Sequence, residues 1–451
     1  MSDSGHAHFN IPNLLFDNRT PHAATQFDMV DQFGQAFHVV VVRMGYTLGP
    51  CGADGVASLI PTARPVPLAT EDLHLGGDTQ AGALQESDFA PYKPRCDVIV
   101  NAVAHAPRGQ AMPQFVVHLG LRSGNKSLID KTLQVCGERS FRKKASLIRL
   151  AQGCARIASV GLLKTNPWQL SAPVPFQQLP LHYAYAYGGQ CRIAAGDRAA
   201  KYLPPAVRIA NGPLAAHDSC QANPLGRGFA RHWYLDLKHI HELPAPRISY
   251  AAQPCTVAQF WQGAAGKDLP PPAGLATIGR GWLPRRSLAG SIQEKEKWDP
   301  DEVPALPEDF DFAYWNSTPP DQQCPFLAGQ EQFALTNLCR HDHPAARADQ
   351  RGNTVLRFTL PQQVLCLLLA DKQDQLLVLR LAIDTVLIDP EAATLELVWR
   401  TIVPADAGQT AARLLHVMEA AQIARIELLE QAQQELSKMA EQGDKAAGHE
   451  Q

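Results

Sequence analysis

The chain is poor in what a membrane crossing or an export route requires. Its longest uninterrupted apolar run, Val364 to Ala370, falls far short of the roughly 18 to 20 residues of a bilayer helix. The amino-terminal MSDSGHAHFNIPN has neither a basic stretch nor an apolar one, so no secretory signal is legible and a cytoplasmic protein is expected. Closely spaced cysteines are missing too. The ten, at 51, 96, 136, 154, 191, 220, 255, 324, 339 and 366, never fall within four residues of one another. A chain of 451 residues has no need of covalent staples, so these are expected as reduced, mostly buried thiols. Nor is there an excess of either charge: 41 basic and 44 acidic residues leave −3. No surplus exists to collect phosphates, which makes nucleic acid a poor partner.

What is present is an ordinary globular composition with many turns. Apolar residues reach 45% and charged residues 19%, near the averages for folded domains. The 35 prolines stand above the usual ~5%. The length suggests two or three domains at about 150 residues each, or one large body with an appendage.

β-Branched runs bounded by glycine and proline read as strands. They begin with FHVVVVRMGYTL from Phe37 and continue as Cys96–His105, Gln114–Ser123 and Lys126–Gly137, spaced like an antiparallel meander. A second set runs from VLRFTLP through VLCLLLA and QLLVLRLAIDTVLID to ATLELVWRTIV at Val403. Between them periodicity is weak, with a short helical pattern only at Thr256–Ala265. The many aromatics there, from Trp168 to Trp315, are too dense for a solvated linker and point to loops packed on sheets. After Pro404 proline disappears and Ala, Glu, Gln, Leu and Arg dominate, the composition of a helix. Its stripe includes Leu414, Met418 and Leu428, able to face the chain's own body or a partner.

The expected fold is therefore mainly β: antiparallel sheets, sandwich-like, with long ordered Gly/Pro-rich loops and a long C-terminal α-helix. The expected divisions are a β block at 1–162, an aromatic-rich loop region at 163–330, a second β block at 331–404, an amphipathic helix at 405–442 and a disordered tail at 443–451.

Chemical motifs are weak. GAAGKD at Gly263–Asp268 lacks the first glycine and the hydroxyl of a phosphate loop. The GxG of NPLGRGF follows no strand, and Ser291 in AGSIQ follows a glycine without the second one of a nucleophile elbow. The densest metal-like cluster is Cys339, His341, Asp342 and His343, with Cys324 as a further soft ligand. No second pair at fixed spacing supports it, and neither metal nor cofactor is expected. Asp309 and Asp311 in LPEDFDF read as loop acids engaging turn amides or arginines.

A series of phrases in order then carries a resemblance. They include DNRTPHAATQFDMVDQFGQAFHVVVVRMGYTL, PLATEDLHLGG, ESDFAPYKPRCDVIVNAVAHAPRG, LQVCGERSF, LPLHYAYAYGG, ANPLGRGF, LATIGRGWLPRRSLAGS, VPALPEDFDFAYWNSTPPDQQ, LAGQEQFALTNL and LAIDTVLIDPEAATLELVWRTIVP. Together, over about residues 10 to 404, the chain resembles the bacterial domain of unknown function 2169 family. The segment after Pro404 lies outside the resemblance.

The resemblance implies an adaptor chaperone of type VI secretion, one that binds a PAAR-containing effector and promotes its loading onto the VgrG spike. Aromatic and arginine side chains anchor interfaces, so Tyr185, Tyr187, Trp282, Arg285 and Arg286 are the expected anchors, with Leu414, Met418 and Leu428 on the final helix. Two other functions stay open from the residues alone. One is a metal-dependent hydrolase using the Cys339, His341 and His343 region with Asp309 or Asp311 as base. The other is a self-assembling protein joined through the final helix.

Overall fold

In the computed structural model the described residues are 11–77, 82–144, 166–291, 306–372, 376–405, 408–417 and 425–426. The longest strand, Ala36–Cys51, contains Val39 to Val42, four consecutive β-branched residues with no solvent exposure. A run apolar on both faces belongs inside a sheet covered on both sides. Here it pairs antiparallel with Thr394–Pro404 on one side, and with Ala23–Val30 and Ala57–Pro61 on the other.

From this centre a mixed sheet of thirteen strands extends in both directions and curls into a half-barrel. One arm runs from Ala57–Pro61 through Thr354–Thr359, Gln332–Thr336, Gln114–Ser123 and Lys126–Cys136 to Ile248–Tyr250. The other runs from Thr394–Pro404 through Ala382–Asp389 and Cys96–Val100 to Gln323–Cys324. Strands from both sequence-defined β blocks thus alternate in one sheet. Gln114–Ser123 and Lys126–Cys136 do form the expected antiparallel pair. Cys96–Val100 departs from the meander and lies parallel to Ala382–Asp389.

The aromatic-rich middle of the chain is built onto this sheet as irregular chain around a second core. Phe141 stacks on Phe260 at 4.1 Å, and Trp168 meets Phe260 edge-on. The helical pattern after Thr256 is a helix, Val257–Ala264, whose start is closed by reciprocal Thr256 and Gln259 hydrogen bonds.

The long C-terminal helix is corrected by the structure. Gln409–Val417 is a strand, antiparallel to Val364–Asp371 and parallel to Leu15–Asn18. It alternates, with Ala412 and Leu414 in the main core, and so completes a separate sheet in the order Leu15–Asn18, Gln409–Val417, Val364–Asp371, Leu376–Arg380. A neighbouring strand that needs its second ladder of hydrogen bonds overrides alanine's preference for helix. Of the remainder of that expected helix only Arg425 and Ile426 are described. They are helical, and Ile426 packs near Val364, Cys366 and Val417 on the outer face of this sheet. Met418, Leu428 and the expected tail lie outside the described residues.

Candidate functional site

Strands buried on both faces leave no water for their charged residues, so each charge must find a partner within the fold. Arg43 and Arg400 lie on the two central strands. Arg43 donates to Asp88 at 2.7 Å and to Glu396, while Arg400 donates to Asp384 at 2.6 Å and to the Asp88 carbonyl at 2.8 Å. Lys93 donates to Asp97 at 3.0 Å and to Thr385 at 2.8 Å. Asp97 also accepts from the Ser317 N–H at 2.9 Å and the Thr318 hydroxyl at 2.7 Å. Arg285 lays its guanidinium fork on Glu86 at 2.5 and 2.7 Å.

These bonds fasten the segment around residues 86–93 and the chain at 278–285 and 314–318 to the sheet. The phrases ESDFAPYKPRCDVIV, LATIGRGWLPRRS, EDFDFAYWNSTPP and LAIDTVLID converge on this one ionic frame. Burial works against the Lys93 ammonium, but Asp97 and Asp384 more than offset it and its pKa stands raised. Burial likewise pushes the Asp97 carboxyl up, but Lys93 and the Ser317 amide hold it below the ordinary value. Both shifts favour the charged forms. Such a frame ties the loops to the sheet.

The anchors expected from sequence divide sharply. Tyr187, Trp282, Arg285 and Leu414 are buried. Leu414 belongs to the main core, Trp282 meets Tyr183 edge-on at 5.5 Å, and Arg285 serves Glu86. Trp282, Arg285 and Leu414 thus have packing partners within the chain. Tyr185 is half-buried between Arg227 at 4.6 Å and Arg247 at 5.6 Å, both arginines pairing with Glu138. Arg286 is exposed, with a 3.3 Å contact to Gln221.

The residues of the hydrolase alternative are not gathered. Cys339 is fully buried, and burial, with Glu391 nearby, pushes its thiol up to about 12. His341 is exposed, and the His343 Nδ1 accepts the Ala345 N–H at 3.2 Å. Asp342 pairs with Arg340, and Cys324 sits opposite Cys96 on the ladder. Asp309 accepts the Ser291 N–H and Asp311 the Ala313 N–H. Among the described residues no three His, Cys, Asp or Glu side chains are placed to hold a metal ion. Among those residues, too, no helix is long and apolar enough to cross a membrane.

A surface with no motif to announce it is the outer edge of the four-stranded sheet that the described residues form. Leu376–Arg380 pairs with Val364–Asp371 on one side and is the sheet's terminal strand on the other. Its sequence, LLVLR, carries apolar residues towards both faces, and Leu376 is 63% exposed. At the opposite edge Leu15 is 69% exposed. Between them a cleft of about 420 Å³ is lined by Leu15, Leu368, Ala370, Leu376 and Ala411, with Asp17 and Arg413 paired at its rim. Soluble proteins normally blunt sheet edges with charge, proline or a cover. The available signal was the absence of polar alternation in QLLVLR, which a solvated edge strand would show.

A family model described as "Uncharacterized protein conserved in bacteria (DUF2169)" matches residues 34–400. No curated protein and no solved structure matches the chain. The matched range contains the ionic frame, whereas two strands of the open sheet, Leu15–Asn18 and Gln409–Val417, fall outside it.

Proposed function

We propose, from the premise that the chain belongs to the DUF2169 family of bacterial proteins, that it is a non-enzymatic cytoplasmic adaptor. It holds a PAAR-containing type VI secretion effector in a soluble state until the effector passes to the VgrG spike. The observation that carries this reading is the apolar four-stranded sheet, in which Leu376–Arg380 is the terminal strand among the described residues and Leu15 and Leu376 are largely exposed. An edge of this kind accepts an extended strand from another polypeptide through main-chain hydrogen bonds, while the apolar face shelters alternate side chains. The function then requires affinity and release, with no covalent step. The ionic frame supplies the rigid body against which such an edge is held.

The test is co-expression with a PAAR-bearing effector of the same bacterium. The expected result is a soluble complex that survives purification, with the effector alone aggregating or degraded. Leu376→Lys should abolish the complex while leaving the adaptor's melting unchanged, because the side chain is mostly in water. An equal yield of soluble, spike-loaded effector without this chain overturns the proposal.

A further inference from the structure

We infer that the outer face of the large sheet carries a second docking site, which takes an extended acidic segment of a partner protein. The residues come from four adjacent strands, and their register fixes the arrangement. Along one row Asp130, Gly120, Ala334 and Arg357 lie side by side; along the next lie Ser127, Arg122, Gln332 and Thr359. Gly120 and Ala334 leave the middle of the face low. Arg122 and Arg357, both exposed, stand in adjacent rows two strands apart across the trough, which encloses about 420 Å³.

The low floor is built in at Gly120. A Cβ there would come within 2.9 Å of the His118 ring, so a larger residue would push His118 into the groove. His118 is itself held by Asp130 at 2.7 Å, which occupies the carboxylate of the trough. Neither arginine has an acidic partner among the described residues. Among the described residues Arg122 donates to the Asn125 carbonyl of its own hairpin, at 3.1 Å. Two unpaired guanidinium groups in one groove, with Gln332, Ser127 and Thr359 as neutral hydrogen-bonding neighbours, complement negative charge.

The spacing selects a chain over a small anion. Two strand separations and two residues along the strand place the arginine Cα atoms about 12 Å apart. One phosphate or carboxylate cannot bridge that span. An extended peptide rises about 3.4 Å per residue, so carboxylates four residues apart, on the same face of the peptide, reach both. This surface is distinct from the Leu376–Arg380 edge and requires no apolar contact.

The test uses the full chain and fluorescein-labelled Gly/Ser peptides of about a dozen residues carrying Glu at every fourth position, read by anisotropy at low salt. The Glu peptide should bind and its Gln counterpart should not. Arg122→Glu with Arg357→Glu should weaken binding about tenfold or more, the combined effect of two exposed charge pairs, with melting unchanged because both side chains are in solvent. Asp130→Asn should tighten binding by removing a repulsive charge, and Leu376→Lys should leave it untouched. Equal binding of the Glu and Gln peptides, or binding that survives the double arginine reversal, overturns the inference. Tighter binding of an oligothymidylate of similar length overturns it as well, since the groove would then read phosphate.

Discussion

Asp97→Ala separates scaffold from interface most directly. The carboxylate is fully buried, and five groups depend on it: the Lys93 ammonium and the amides and hydroxyls of Ser317 and Thr318. Its loss leaves Lys93, itself 7% exposed, buried without its hydrogen-bonded counter-charge, at a cost of about 3–5 kcal/mol. In a chain of 451 residues that lowers the melting midpoint by about 3–5 °C. Adding Lys93→Met removes that buried charge and should return about 1–2 kcal/mol, a coupling readable in a double-mutant cycle. Asp97 also sets a pH dependence. Its pKa is lower in the folded chain than the ordinary 3.8, so its contribution is complete above that value and is lost as pH falls below it. Circular-dichroism melts of the wild type, both single variants and the pair measure all of this. Below its own midpoint Asp97→Ala should still capture client, because the open sheet is elsewhere. A shift under about 2 °C, or lost capture by a folded variant, would refute the assignment of the ionic frame to scaffold.

Other perturbations test the same separation. His22 lies 3.0 Å from His416, and burial, with repulsion from His416, lowers its pKa to about 4. The folded value lies below the ordinary 6.5, so stability is full above pH 6.5 and declines as pH falls towards 4. His22→Phe should flatten that slope in urea titrations across the range. Gly137→Ala should cost about 1–3 kcal/mol in the same assay, because its Cβ would come within 1.7 Å of the Val174 carbonyl oxygen. Arg285→Lys keeps a charge beside Glu86 but loses the two-pronged bond, and should cost about 2 kcal/mol without changing client capture.

The strands were legible in the sequence wherever β-branched residues repeat between glycine and proline, as at Phe37, Gln114 and Thr394. Their pairing was not, because register arises between residues far apart: Asp97 beside Thr385, Leu119 beside Leu335. The same distance hid the role of Arg285. A loop arginine beside Trp282 has the composition of an interface anchor, but its burial is dictated by Glu86, 199 residues earlier. For Gln409–Val417 local preference pointed the wrong way. Alanine-rich chain without proline favours helix, while Val364–Asp371 needed a second partner. That correction changes the functional argument, since residues 409–417, expected on an amphipathic helix, instead form a strand of the four-stranded sheet. Leu414 faces inward at its core side, Ala411 and Arg413 face the cleft, and Leu376–Arg380 is left as the edge. Since two of these four strands lie beyond the matched residues 34–400, the shared body and the proposed client surface are separable. Substitutions at Leu15 or Leu376 should therefore change which polypeptide is held without disturbing the frame of Arg43, Asp97 and Arg400.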